Sequence, residues 1–193
     1  TDSGSHVKPV GSGILSNRAP TFAIRPSERV SMSEQRPITC ADGPEARLDA
    51  LGITLPAVPK PVAAYVPAVR TGHLVFVSGQ IPVRDGRLIA QGRVPSEVSQ
   101  EIARECARQC ALNGLAVVRA SVGTLDAVKR VVRLGVFVAS EPGFHAQPQV
   151  ANAASELMEQ VFGEAGRHAR AAVGSIDLPL GAPVEIEFLF EVE

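Results

Sequence analysis

The chain has 193 residues and a formal net charge of −1 at pH 7, and it is 45% hydrophobic but only 4% aromatic, with no Trp and one Tyr. That length suits one domain with extra terminal material, whose core has to be assembled from Val, Leu, Ile and Ala. The near-neutral charge excludes the basic face that nucleic-acid binding ordinarily needs, and no apolar run approaches the roughly 18–20 residues that cross a bilayer.

Residues 1–40 are dominated by Ser, Gly, Pro, Arg and Thr and lack hydrophobic periodicity. Such a segment cannot bury enough surface to offset its ordering entropy. It reads as a flexible or expression-derived segment, an overextended start ahead of Met32, or an ordered arm on a neighbouring subunit. Without an apolar stretch of about 7–15 residues it does not read as a secretory signal. Residues 41–62 read as a short helix, Pro44 to Leu51 with Gly52 as its stop, followed by a linker. The main domain then runs over 63–193.

Within that domain, Ala63 to Arg70 and Leu74 to Gly79 read as strands joined at Thr71-Gly72-His73. Asp85-Gly86 is a favoured hairpin dipeptide, so its flanks Ile81-Pro82-Val83 and Leu88-Ile89 are expected to pair. Ser96 is placed to cap a long helix to about Ser121, with Val98, Ile102, Cys106, Cys110, Leu115 and Val118 as its apolar stripe. Val131 to Val138 reads as a buried strand. Pro148 suits a helix start, Val150, Ala154, Leu157, Met158 and Val161 mark one face, and Gly163 ends that helix. Strands at 169–176 and 184–192 close the domain. The order predicts an α+β fold, a sheet with two helices packed on one face. Its second face would be left as an apolar patch, which oligomerisation would cover.

Three cysteines, Cys40, Cys106 and Cys110, show no metal-ligand pattern, and a reducing, cytoplasmic setting accounts for them most simply. Cys106 and Cys110 are four apart on the helix stripe, the pattern of small buried hydrophobes. The four histidines are too dispersed for zinc. The sequence offers no site for a metal or organic cofactor.

The last two dozen residues carry the chemistry. Arg170-Ala171-Ala172-Val173 opens a strand, Leu178-Pro179-Leu180-Gly181 turns, and Val184-Glu185-Ile186-Glu187-Phe188 alternates apolar and acidic side chains, placing both carboxylates on one face. On spacing alone, Arg170 could belong to a solvated cluster with Arg167 and His168, and the glutamates to an exposed sheet face. The sharper alternative is a carboxylate site, with Arg170 at a strand start beside an acidic strand partner, since a guanidinium fork grips a carboxylate through two parallel hydrogen bonds.

Tyr65, the run Ser78-Gly79-Gln80-Ile81-Pro82, Arg170, Leu178-Pro179 and Val184 to Glu187 occur in an order and spacing that resemble the RidA/YjgF family of enamine/imine deaminases, also labelled endoribonuclease L-PSP. The resemblance spans Tyr65 to the C-terminus. It implies a chorismate-mutase-like mixed sheet, a homotrimer with sites in the clefts between subunits, and hydrolysis of 2-imino or 2-enamino acids to 2-keto acids and ammonia without a cofactor. It also implies roles for residues. Arg170 would grip the substrate carboxylate, and Glu185 would orient water or shuttle a proton to the departing ammonia, while Glu187 stays structural. Tyr65 would wall the cleft, Ser78 and Gly79 would line it, and the backbone N–H of Ala172 would donate where many members carry a cysteine. Ser155 takes the place of a helix asparagine, with Asn152 one turn earlier. These two departures mark a divergent branch and leave open a non-catalytic carboxylate-binding or regulatory module. The acidic pI of about 6.4 and the absence of a basic aromatic groove count against endoribonuclease action. The expected partner is a small 2-imino or 2-keto acid, not nucleic acid or membrane.

Deleting residues 1–40 is expected to leave the melting temperature unchanged. A drop of many degrees in a thermal melt would make that arm part of the fold.

Overall fold

The computed structural model describes Thr1 and residues 43–58 and 64–193. The elements are α1 (Pro44–Ala50), β1 (Ala68–Thr71), β2 (Leu74–Gln80), β3 (Val83–Arg84), β4 (Arg87–Leu88), α2 (Gln100–Val122), β5 (Val128–Ala139), α3 (Gln147–Phe162), β6 (Ala169–Ser175) and β7 (Val184–Val192). All belong to the unit Gln35–Glu193; the expectation for residues 1–40 and the residue Cys40 lie outside the described residues, Thr1 apart.

Alternation in the sequence decides where β7 goes. Val184, Ile186, Phe188, Phe190 and Val192 are buried, and the residues between them are only partly so. A strand with one fully apolar face is suited to the middle of a sheet covered by helices. Accordingly β7 lies between β2 and β5, antiparallel to both, in the order β1-β2-β7-β5-β6. Helix α3 is the crossover between β5 and β6, which pair in parallel. That crossover corrects the reading of Arg170 as lying beside an acidic strand partner. The strand carrying Arg170 and the strand carrying Glu185 are separated by β5.

Helices α2 and α3 pack on the apolar face of this mixed sheet, giving the expected α+β arrangement. Helix α2 begins one turn later than expected. Ser99 is its cap, its hydroxyl accepting from the Ile102 N–H at 3.3 Å, whereas Ser96 donates to Glu141. Ile102 is 42% exposed. The buried arc is centred on Ala103, Cys110 and Gly114, and at 3.6 residues per turn Ile102 falls about a quarter turn off it. The first strand starts at Ala68, because Pro67 has no N–H to give to a ladder; residue 63 lies outside the described residues. Asp85 and Gly86 both take positive φ, so the expected hairpin forms with Val83 opposite Leu88. Helix α1 joins the same core through Leu48 and ties to α2 through Glu45, which pairs with Arg119 at 3.0 Å and accepts from the Leu125 N–H at 2.9 Å.

Among the described residues the buried polar side chains are Gln80, Gln109 and Asn113. Asn113 donates to the carbonyls of Ile81 and Val83, each at 3.1 Å, and accepts from Gln109 at 2.9 Å. Gln109 in turn accepts from Arg84 at 3.1 Å. Helix α2 thereby holds the segment that follows β2.

Gly114 faces the Phe188 ring, and a methyl group there would stand 2.6 Å from a ring carbon. Alanine gains about 1 kcal/mol of helix propensity over glycine, but overpacking a core costs about 1–3 kcal/mol. Gly114→Ala is therefore expected to lower the melting temperature; a rise would mean that Phe188 moves aside freely.

Candidate active site

The sequence-predicted residues fall into two groups on opposite faces of the sheet. The first gathers at the end of β2. Its register against β7 slips between Val77 and Gln80, a bulge that re-aims side chains as bulges beside sites commonly do. Gly79 then sits against Glu185 so closely that a methyl group at Gly79 would collide with the Glu185 carboxylate. Only glycine fits there. The Ser78 hydroxyl donates to the Val66 carbonyl at 2.7 Å, and its N–H donates to the Pro67 carbonyl at 2.9 Å. These bonds fix the 64–67 segment and hold half-exposed Tyr65 at the rim of a cavity of about 490 Å³. Gly79, Ile81, Val83, Val58 and Leu180 line it with Tyr65.

Glu185 is half-buried on the face that no helix of the described residues covers. Burial pushes its carboxyl above the usual carboxylate range, and the nearby Glu187 charge adds to the effect. Glu187 has a different partner. It accepts from Arg133 at 2.8 Å and lies over Gly135, where a Cβ would collide with its carboxylate. The two glutamates are thus distinguished by their surroundings, one desolvated and one ion-paired.

The second group lies on the helix side of edge strand β6. Arg170 Nη1 donates to Asn152 Oδ1 at 3.0 Å and to Ser155 Oγ at 2.9 Å, both on α3. The serine in the asparagine's expected place and the asparagine one turn earlier therefore act together, and among the described residues no hydrogen bond engages the Nη2 and Nε edge of the exposed guanidinium. His168 completes the group. Its Nδ1 stands 2.6 Å from the Gly166 carbonyl and its Nε2 3.0 Å from Ser155 Oγ. A carbonyl only accepts, so Nδ1 carries the proton and Nε2 accepts from the serine hydroxyl. Burial, reinforced by the Arg170 charge, pushes the imidazole below its ordinary value, against smaller opposing effects of the Gly166 carbonyl and Glu159. Ala172, two residues beyond Arg170, packs partly buried against the core.

One chain does not bring the two groups together. Arg170 is level with Leu134, and Leu134 with Phe188, three residues along β7 from Glu185. Two strand spacings and three residues put the two Cα atoms about 14 Å apart.

Cys106 and Cys110 take no part. Burial pushes the Cys106 thiol up to about 11 and holds Cys110 well above its ordinary value, so neither supplies the thiolate that nucleophilic chemistry requires. Among the described residues no group of three or more His, Cys, Asp or Glu is arranged to hold a metal, and no helix is long and apolar enough to cross a membrane. Sequence reasoning assigned His168 only to a solvated cluster. Its position two residues before Arg170, on the same strand face by alternation, was the signal available.

Because Glu187 raises Glu185, Glu187→Gln is expected to shift the Glu185 titration to lower pH when followed by carboxyl carbon NMR. An unmoved titration would leave burial as the whole cause.

A family model described as "YjgF/chorismate_mutase-like, putative endoribonuclease" matches residues 45–191. Protein TCP17 of Trypanosoma cruzi is 46% identical over 148 residues, covering 76% of this chain and 92% of that protein. A 2-iminobutanoate/2-iminopropanoate deaminase of Dermatophagoides farinae is 31% identical over 143 residues, 73% of this chain and 95% of its own. The crystal structure of Atu1372 from Agrobacterium tumefaciens, a protein of unknown function, superposes with a TM-score of 0.72 at 45% identity, covering 78% of this chain and 92% of that one. The matched span takes in the bulge, Arg170 and Glu185, and the chain belongs to the YjgF/chorismate-mutase-like family.

Proposed function

We propose that this protein hydrolyses 2-imino and 2-enamino acids to 2-keto acids and ammonia, in clefts shared between the subunits of a homotrimer. The observation that carries the reading is the placement of the two groups. The carboxylate-binding edge of Arg170 and the half-buried Glu185 face opposite sides of one sheet, so neither can complete a site within its own chain. A neighbouring copy resolves this if Arg170 of one subunit meets Glu185 of the next. The uncovered face supports such an assembly, since Val69, Phe76 and Val173 are about half exposed there.

The chemistry follows from the groups. Arg170 orients the substrate by its carboxylate, leaving the C=N carbon open to water. Glu185 takes a proton from the attacking water as the C–O bond forms, and returns it to nitrogen. Collapse of the carbinolamine breaks the C–N bond, releases ammonia and leaves the keto acid. An enamine first gains a proton at carbon and gives one up from nitrogen to reach the imine. A carboxyl raised above its ordinary range is suited to both halves of this transfer. Positioning and proton transfer suffice because imines hydrolyse readily in water. The likeness to a relative named as an iminobutanoate/iminopropanoate deaminase supports this substrate class. The family description also names endoribonuclease, but the net charge of −1 offers little to a phosphate backbone.

Mixing the variants tests the shared site. Arg170→Lys loses the bidentate fork and Glu185→Gln the proton acceptor, so each alone is expected to lose most activity toward an imine formed in situ. Random reassembly of equal amounts should restore about a quarter of wild-type turnover, since one site in four then draws an intact Arg170 and an intact Glu185 from different subunits. No recovery from demonstrably mixed trimers would place both residues in one chain's site or in none. Full activity of either single variant would remove that residue from the chemistry.

A further inference from the structure

The hydrogen bonds behind Arg170 form a directed chain. His168 Nδ1–H donates to the Gly166 carbonyl, the Ser155 hydroxyl donates to His168 Nε2, and the Ser155 oxygen accepts from Arg170 Nη1. A serine hydroxyl has one proton and two lone pairs. Whichever neighbour receives the proton decides which way the oxygen faces. With the proton on the His168 side, the oxygen is left as a fixed acceptor for the guanidinium.

We propose that His168 is a positioning residue that acts through Ser155: as a neutral imidazole it holds the serine oxygen toward Arg170, setting the guanidinium for a substrate carboxylate, and on protonation it releases it. The inference rests on Arg170 being the carboxylate grip of the proposed function. Once protonated, His168 has two donors and no acceptor. Ser155 would then receive hydrogen bonds from two cations, its own proton would need a new acceptor, and the imidazolium would face the guanidinium across one oxygen. Repulsion between like charges at this range favours swinging Arg170 away from α3.

The charged surroundings leave the neutral form in place near pH 7. Glu156 and Glu159 of α3 border the same hollow, with Arg167 and Arg170 opposite. Arg167 is engaged by Glu159 at 3.1 Å and by Glu164 at 3.2 Å, and Glu156 by Arg104 of α2 at 3.3 Å. Arg47 of α1 lies against Gly163. On β5, Arg133 is level with Ala169 but turns to the other face, where it pairs with Glu187. The acids near His168 are thus largely matched by arginines, and burial, which disfavours the charged ring, prevails. A histidine held below its ordinary value contributes stability that is present above about pH 6.5, the unfolded value, and falls away as pH drops toward the folded one. The acid side of neutrality is therefore where the positioning should fail.

The test is calorimetric titration of the full chain with 2-oxobutanoate, a keto acid that stays ionised, between about pH 5 and pH 8. It compares wild type, His168→Leu, His168→Gln and Arg170→Ala. Wild-type affinity should be level near neutrality and weaken on acidification. His168→Leu should bind about tenfold more weakly at every pH, without the acidic decline. In His168→Gln the side-chain oxygen can reach the place of Nε2 and does not titrate. Affinity should return to the wild-type neutral value and stay level, which a merely structural role would not produce. Glu185 also titrates, and any decline it causes would persist in His168→Gln. Wild-type affinity and acidic decline in both His168 variants would overturn the inference, as would His168→Gln binding as weakly as His168→Leu. Should His168→Leu fail to fold, the level profile of His168→Gln decides alone. If Arg170→Ala binds like wild type, the carboxylate grip itself is wrong and the inference falls with it; if Arg170→Ala loses binding while the His168 variants behave as wild type, only the inference falls.

Discussion

The two-residue period of β7 is the constraint on which the rest of the molecule depends. A slip of one residue in its pairing would turn Val184, Ile186, Phe188, Phe190 and Val192 outward and press Glu185, Glu187 and Glu191 against the helices. Each buried apolar side chain is worth about 1.5–3 kcal/mol, and an unpaired buried charge costs more still, so the observed register has no close competitor. Phe188 and Phe190 stack at 6.0 Å, and Phe162 meets Phe190 at 6.3 Å, tying α3 into the same layer. The acidic positions follow from this arrangement: they occupy the uncovered face because the apolar ones occupy the other.

From that fixed strand the site is positioned outward in steps. The bulge against β7 aims Gly79 at Glu185, and the serine before it anchors the segment bearing Tyr65. Asn113, deep in α2 and held by a hydrogen bond from Gln109, satisfies the carbonyls of Ile81 and Val83 beyond the bulged strand. A buried polar network is costly when half-satisfied and rigidifying when complete, and this one joins the helix to the wall of the cavity. The arginine side is positioned differently: β6 sets the Arg170 backbone beside β5, and Asn152 and Ser155 of α3 hold its guanidinium.

Much of this was legible in the sequence because it depended on local rules. Strand alternation put Glu185 and Glu187 on one face, Asp85-Gly86 gave the small hairpin, and a four-residue spacing gave buried Cys106 and Cys110. The family motifs pointed to Arg170 and Gly79. What escaped was set by tertiary placement. No local pattern separates a cap at Ser96 from one at Ser99, and Ile102 looked apolar enough to be buried until the helix phase was known. The insertion of β5 between the strands of Arg170 and Glu185 is a topological fact that adjacency in sequence conceals. His168 and Asn113 were passed over because a polar residue has meaning only through partners far along the chain.

The ion pair of Arg133 with Glu187 stands in the middle of the uncovered face, among Phe137, Val173 and Leu189. A second copy settling there would strip water from both charges, and the cost of desolvation would offset much of their mutual attraction. The pair then adds little to the strength of association but a good deal to its selectivity. A foreign apolar surface, or a copy docked out of alignment, would part the charges or leave one of them dry and unmatched. A face of valine and phenylalanine alone would adhere to many things; one with a matched pair of charges at its centre discriminates among them.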